Sequence, residues 1–568
     1  MLSSDAMAVL KARYLRENET PDEMFRRVAL FVAQAGKAYG LDVSKSAQEY
    51  YDLMSELAFL PNSPTLINAG KSCAQLAACF VLPIEDSLSG IFETLKNMAL
   101  IHQSGGGTGF AFSRLRPKGD RVAATGNVSS GPVSFMHIYD KASEVVKQGA
   151  VRSGANMAVL RVDHPDIIEF ITAKARQDVL NNFNLSVGIT DDFMNAVSAD
   201  KLFSLINPRN GQIVEKIAAR KIFDKLVHMA WANGEPGLFF LDTVNRANPT
   251  PELGMFESPN PCSEQPLLPY ESCTLGSVNL VRMLMFEGAN LHIDYEKLRR
   301  TVRTAVRFLD DVVDVNIYPL PIVADTTRRT RKIGLGIMGL AEVFILLDIP
   351  YASQTAVDLT ASIMQFISAE ARLMSRELAV QRGIFPAFSG SVFYQQGYDM
   401  LRNATVTTIA PTGSISIIAN CSSGIEPLFA LSLTRRVLDG RQLISNNSVA
   451  MAYLKERKLL SEKVMAVISG TGRVAETELS EHVKQVLATA HEIEPFWHVC
   501  HLAAAQRHTD NGVSKTVNMP NSATTDDVAK IFFQAFSSGC KGVTVYRDAS
   551  RDQQVLTSGV YCVKCEEN

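Results

Sequence analysis

The 568-residue sequence holds no run of about 18 uninterrupted apolar residues, the length a membrane-spanning helix needs. The nearest candidate, Ile333 to Leu347, is too short and is broken by Glu342. The first residues, MLSSDAMAVLKARYLREN, lack the basic, apolar, small-residue order of a signal peptide. Charge of one sign is missing too. The 56 Lys and Arg against 59 Asp and Glu leave a formal net charge of −3, so no strong field favours nucleic acid or an anionic membrane. Nine cysteines scattered over so long a chain do not form a secreted disulfide framework. A reducing, cytoplasmic setting is expected, in which any disulfide is transient and catalytic. Internal repeats and low-complexity tracts are absent as well.

What is present is an ordinary globular composition, 46% hydrophobic and 20% charged, long enough to bury a large core. Residues 1–60 read as a helical region. Thr20-Pro21-Asp22-Glu23 is a capping box with proline at the first helical position, and its helix is expected to run to about Gly40. A second helix is expected from near Ser46 to Leu60, stopped by Pro61. From 61 to 548, short apolar runs such as AACFVLP, FNLSVGI, ATVTTIAP and GVTVYR alternate with longer helical patterns. Such interleaving predicts an α/β body with largely parallel strands. Residues 549–568 lose periodicity and predict a mobile tail. The basic run Arg328 to Lys332 reads as a solvated turn or helix face. Gly334-x-Gly336-x-x-Gly339 matches a dinucleotide fingerprint, but TTRRTRK before it makes a poor buried strand. Close helix packing or a tight turn explains these glycines better than a nicotinamide site.

Asn260-Pro261-Cys262-Ser263-Glu264 carries the strongest signal. It puts a carboxamide, a thiol and a carboxylate within five residues. Pro261 forbids helix interior and biases Asn260 towards extended geometry. In an extended segment residues two apart share a face, so Asn260, Cys262 and Glu264 are expected to line one side together. Singly, a cysteine is more often a small buried hydrophobe and a Glu a solvated one; together they suit chemistry.

Six further segments occur in order around NPCSE: PNSPTLINAG (61–70), LAACFVLPIEDS (76–87), QSGGGTGFAFSRLRPKGD (103–120), KQGAVRSGANMAVL (147–160), APTGSISIIANCSSGIEP (410–427) and SSGCKGVTVYRDASRD (537–552). In this order they resemble the large catalytic chain of ribonucleotide reductases, and their details resemble the adenosylcobalamin-dependent class II. The resemblance implies a ten-stranded α/β barrel with a finger loop through its centre, Cys262 at the tip, shielded from solvent. The implied activity is reduction of ribonucleoside diphosphates or triphosphates to 2′-deoxyribonucleotides for DNA synthesis.

By the same resemblance, Cys262 becomes the thiyl radical, Glu264 is the base for the 3′-OH proton, and Asn260 orients the sugar hydroxyls. Cys79 and Cys273 match the redox pair. Cys562 and Cys565, in CxxC spacing in the tail, match a disulfide shuttle. Half of a zinc ribbon is the competing reading, and it lacks two further ligands nearby. Ser63, Ala78, Gly107 and the loop Pro411-Thr412-Gly413-Ser414-Ile415 match substrate positions, the loop suiting phosphate. Asp86, Ser87, Leu88 and Arg116 match a deoxynucleoside triphosphate effector site, and Gln148 to Asn156, with Arg152, the loop that signals from it. Many relatives carry two adjacent arginines where this chain has Arg152-Ser153, so its base readout stays open.

Further absences choose the class. The segment Gly539 to Asp548 holds one tyrosine, Tyr546, and no adjacent pair to relay a radical from a partner subunit. A glycyl-radical motif is missing, and so is a cobalt-binding Asp-x-His-x-x-Gly, since His164 is followed by Pro165. These implicate adenosylcobalamin bound without a protein histidine on cobalt, and no metal held by the protein itself. The sequence starts almost directly with the helical pair, so no additional ATP-binding switch module is expected. The implied partners are a ribonucleotide, the effector, thioredoxin or a similar dithiol, and a second copy in a homodimer, with no nucleic acid and no membrane. Two rivals remain: a class I-type large subunit dependent on a metal-radical partner, and a catalytically inactive nucleotide-binding relative.

Overall fold

Three helices come first: α1 (Ser4–Arg13), α2 (Pro21–Ala33) and α3 (Val43–Ser55). The computed structural model describes residues 2–121, 128–146, 154–176, 178–436, 442–551 and 557–558. Thr20 caps α2 reciprocally with Glu23, and Pro21 opens the helix, as its sequence predicts. A 3-10 segment, Gln34–Tyr39, then carries the chain to Gly40. α3 ends well before Pro61. Leu57 takes a left-handed φ of 55°, which an α-helix cannot contain. Phe59–Pro61 becomes a strand, β1, paired antiparallel with Gly276–Val278. The expected helix to Leu60 is therefore too long, because pairing with a distant strand outweighs local helix preference.

Nine further strands build the body: β2 (Cys79–Pro83), β3 (Gly107–Ala111), β4 (Asn156–Arg161), β5 (Phe183–Ile189), β6 (Gly237–Phe240), β7 (Glu271–Asn279), β8 (Ile333–Met338), β9 (Thr516–Met519) and β10 (Gly542–Arg547). β2 to β6 lie side by side and parallel. A second parallel set starts with β7 and β8. It continues through Thr407, which bridges Leu335, and Ile409, which bridges Val513. It ends with β9 beside β10. The two sets meet antiparallel, β7 on β2 and β10 on β6. The ring therefore closes as a barrel of two parallel halves, leaving no open edge in its wall. The apolar run ATVTTIAP contributes its stave through bridges at residues 407 and 409.

Helices sheath this ring: α4 (Ser63–Asn68), α5 (Leu88–Gln103), α6 (Tyr295–Val315), α7 (Pro321–Thr330), α8 (Gln354–Arg382) and α9 (Ile415–Ala419) among them. Strand alternation sorts side chains between two cores. Phe80 and Leu82 of β2 face the large outer cluster shared with the helices, whereas Cys79 and Val81 face inwards with Cys273, Leu275 and Leu267. Leu267 belongs to a hairpin, Ser258–Pro259 paired with Pro266–Leu267, that runs through the middle.

Two expectations change here. Arg331 and Lys332, read as solvated, are buried. Arg331 pairs with Asp310 at 2.8 Å, and Lys332 with Glu271 at 2.7 Å, both ends of the latter pair wholly buried. Charge density in sequence carries no information about a partner on a remote helix or strand. Gly334 and Gly336 sit inside β8 itself. A Cβ at Gly336 meets the Thr408 carbonyl oxygen at 2.4 Å, so the glycine admits the neighbouring stave. Gly339, at φ 83°, precedes the helix Leu340–Leu346.

Candidate active site

The hairpin tip is a tight turn. Asn260 and Gln265 exchange backbone contact, Asn260 N–H donating to the Gln265 carbonyl at 3.1 Å, and Gln265 N–H donates to Asn260 Oδ1 at 3.0 Å. Ser263 N–H donates to the Asn260 carbonyl, with Ser263 at φ 66°. Extended alternation is thus not what aligns Asn260, Cys262 and Glu264; the turn folds all three towards one cavity. The barrel wall holds the tip from three sides. Asn184 Nδ2 donates to the Pro261 carbonyl at 2.8 Å, and Thr408 Oγ1 and Gly512 N–H donate to the Glu264 carbonyl at 2.9 and 2.8 Å.

That cavity has a volume of about 400 Å³. Ser63, Ala78, Cys79, Gly107, Asn260, Cys262, Glu264 and all of Pro411 to Ile415 line it. Ser63 opens α4 under the cap of Asn62, whose side chain accepts from Thr65 N–H. Pro411 to Ser414 form the loop that enters α9. These segments lie up to hundreds of residues apart, and only barrel closure brings them to one place.

Cys79 and Cys273 are direct cross-strand partners of β2 and β7. Opposed antiparallel residues have Cα atoms about 4.5–5.5 Å apart, within the range of about 4.4–6.8 Å that a disulfide spans. Opposed residues also share a face, here the inner one. Cys79 stands in front. Its Sγ accepts from Asn260 Nδ2 at 3.0 Å and its thiol points to Glu264 Oε1 at 3.9 Å. Cys273 lies behind and is fully buried, its thiol 3.5 Å from the Lys332 and Thr274 carbonyls. Burial, and then the nearby Glu271 carboxylate, push the Cys273 thiol well above its ordinary range, so it stays protonated at neutral pH.

A second cavity, about 540 Å³, adjoins the first, with Pro261 and Cys262 lining both. Glu235, Glu426, Lys515, Tyr546 and Arg551 contribute to its walls, together with Gly234, Gly237, Gly424 and Gly542. Lys515 is ion-paired with Glu426, and Arg551 reaches Glu235 at 2.8 Å. No histidine lines it among the described residues. Among its polar residues sequence reading weighed Cys262 and Tyr546; Glu426 and Arg551 fall inside segments that carry the resemblance, but no motif links them to Glu235 or Lys515. Arg13 and Tyr14, which line the first cavity, were missed for the same reason.

Asp86, Ser87, Leu88 and Arg116 also come together, but apart from both cavities. Arg116 Nε donates to Asp86 at 2.9 Å, and Ser87 caps α5, which Leu88 begins. Arg152, most of the loop Gln148 to Asn156, and Cys562 and Cys565 lie outside the described residues. Cys73, six residues before Cys79, is exposed and lines neither cavity. Among the described residues no cluster of His, Cys, Asp and Glu is arranged to hold a metal, and no helix is long and apolar enough to cross a membrane.

Residues 77–546 match the family model described as ribonucleotide reductase, barrel domain, and residues 1–74 the one described as ribonucleotide reductase, all-alpha domain. The chain is 50% identical over 547 residues to a vitamin B12-dependent ribonucleoside-diphosphate reductase of Thermoplasma acidophilum, covering 96% of this chain and 70% of that one. It is 49% identical over 566 residues to a protein of the same name from Mycobacterium tuberculosis, covering 98% and 81%. In structure it resembles the Actinobacillus ureae class Id ribonucleotide reductase alpha subunit, with a TM-score of 0.80, 23% identity, and 96% and 97% of the two chains covered. With its closed ten-stave ring, its central hairpin and matches spanning both domains, the chain belongs to the ribonucleotide reductase family.

Proposed function

We propose that this chain reduces ribonucleoside diphosphates to 2′-deoxyribonucleotides by radical chemistry at Cys262, with adenosylcobalamin as the radical source. The observation that carries the reading is the position of Cys262. It forms part of the wall between two cavities, one bordered by the Asn260, Glu264 and Cys79 side chains with Cys273 directly behind. The names of the relatives at 49–50% identity support the cofactor and the diphosphate.

The second cavity suits the nucleoside end of the cofactor: Glu426, Tyr546 and Arg551 in its walls offer hydrogen bonds to an adenosyl group. When bound, adenosylcobalamin supplies a one-electron oxidant by homolysis of its cobalt–carbon bond. The chain's own residues do the rest. The Cys262 thiyl radical takes hydrogen from C3′ of the ribose. Glu264 accepts the 3′-OH proton, and Asn260 orients the hydroxyls. The 2′ oxygen then leaves as water, which a radical at the neighbouring carbon makes far easier. Cys79 and Cys273 supply two electrons and two hydrogens and become a disulfide, and Cys262 returns its hydrogen to C3′. Ribonucleotide and dithiol thus become deoxyribonucleotide, water and disulfide. A raised Cys273 pKa keeps hydrogen on the sulfur until it is needed.

The tail cysteines Cys562 and Cys565 then reset the pair by thiol exchange, and thioredoxin or a similar dithiol reduces them. Asp86, Ser87, Leu88 and Arg116, with Arg152, hold a deoxynucleoside triphosphate effector. A homodimer in the cytoplasm completes the reading; exposed Leu88, Phe92 and Leu100 on α5 support a protein contact there. The test is an anaerobic assay of CDP reduction with adenosylcobalamin and dithiothreitol. Wild-type protein turns over, and Cys262→Ser shows no deoxynucleotide above background. Full activity of Cys262→Ser, or turnover independent of adenosylcobalamin, refutes the reading.

A further inference from the structure

The first cavity has one feature that its sequence motifs do not account for. Of the described residues lining it, Arg13 is the only cation and Glu264 the only acid. Glu264 sits at the hairpin tip. Arg13 comes from the end of α1, in the N-terminal helical region, and α1 packs against α9, the helix entered from the Pro411–Ser414 loop. Next to it, Tyr14 is buried and its hydroxyl lies 2.7 Å from Ser63 Oγ, which pins the end of α1 to the cavity wall. Arg13 itself is exposed, and no ion pair engages it among the described residues.

We propose that Arg13 binds the terminal phosphate of the substrate and thereby sets the enzyme's preference for a diphosphate over a monophosphate. This rests on reading the cavity as a ribonucleotide site. A nucleoside diphosphate brings about three negative charges, and hydroxyls and backbone N–H groups of Thr412 to Ser414 share hydrogen bonds but no charge. Without Arg13 the lining carries only the charge of Glu264, which opposes an anion. A planar guanidinium is suited to two phosphate oxygens at once. Placement of a cation in the last turn of α1 has a simpler benefit through the helix dipole, but Lys11 in the same turn already provides it. The open space beside Gly413, where a Cβ meets no atom within 4 Å, leaves the loop accessible to the same phosphate.

The test is equilibrium binding of CDP and CMP to the full chain by calorimetry, without turnover. Arg13→Ala is expected to weaken CDP by about three- to tenfold, as an exposed but charge-assisted contact does, and to leave CMP within about twofold. Arg13→Lys keeps the charge but loses the two-oxygen fork and restores only part of the CDP affinity, and Arg13→Glu lowers it further. In turnover, KM for CDP rises in parallel while kcat holds. Unchanged CDP affinity in Arg13→Ala and Arg13→Glu, or an equal loss for CDP and CMP, overturns the inference. An Arg13-dependent CDP preference without adenosylcobalamin-dependent turnover supports Arg13 and overturns the reduction chemistry instead. Wild-type protein that binds neither nucleotide overturns both.

Discussion

A β-carbon on Gly109 falls 1.8 Å from the Pro259 carbonyl oxygen and 2.8 Å from its carbon. Both are backbone atoms, so neither can rotate away, and the central hairpin has to move as a unit. Gly107 is less tight, its Cβ meeting Pro261 Cγ at 3.1 Å. The two glycines of β3 therefore set how deep the hairpin sits, and with it Cys262. Gly109→Ala is expected to lower CDP turnover by about a hundredfold, the cost typical of a misplacement near 1 Å. Overpacking also destabilises the fold by about 1–3 kcal/mol. Steady-state kinetics and thermal unfolding on the same preparation check it; wild-type kcat in the variant would show that the hairpin tolerates displacement.

At the scale of elements, β7 carries a buried charge, Glu271, as well as the Cys273 thiol. Glu271 opens the strand and takes Lys332 Nζ at 2.7 Å, while the Lys332 carbonyl accepts from Cys273 at 3.5 Å. The buried pair thus joins the start of β8 to the redox strand. Removing one partner strands a charge in the interior, at a cost of about 3–5 kcal/mol, whereas an apolar pair of similar volume is often neutral. Glu271→Gln is expected to lose stability on that scale, and Glu271→Leu with Lys332→Met to recover most of it. Urea unfolding of the three proteins decides; a single variant as stable as wild type sinks the assignment. None of this was legible in Arg328 to Lys332, which has the composition of a solvated run. The strand pattern of β2, β5 and β10 was legible, since short apolar runs between turns suit buried parallel strands. The reach of α3 was not, because Phe59–Pro61 pairs with residues more than 200 positions away.

For the whole molecule, closure of the ring can be followed by one titration. Lys541 is buried just before β10, and its Nζ donates to the Asp510 and Asn511 carbonyls. Asn511 adjoins Gly512, which holds the Glu264 carbonyl. Burial lowers the Lys541 pKa from 10.5 to about 8. Between these two values the unfolded chain binds a proton that the folded one does not, so stability rises with pH across the window and is lost as pH falls through about 8. Relative to Lys541→Met, wild-type protein is expected to gain roughly 3 kcal/mol of unfolding free energy between pH 8 and 10.5. Groups common to both proteins cancel in that difference. Parallel pH dependence in the two proteins would exclude the shifted titration.

Residue types and local order determined a good deal by themselves. NPCSE, the PTGSI loop and the alternation of apolar runs with helices read directly, because each is a local pattern with its own backbone or chemical signature, whereas Cys79 and Cys273 are picked out only by the family resemblance. Only the tertiary structure decided that Cys79 faces Cys273, that Asn260, Cys262 and Glu264 converge through a turn, and that Arg13 lines the same cavity as the Pro411–Ser414 loop. It alone revealed the second cavity behind Cys262. These are contacts between segments far apart in the chain, and nothing in a local stretch encodes its partner. A closed barrel creates them by fixing the order and register of its staves.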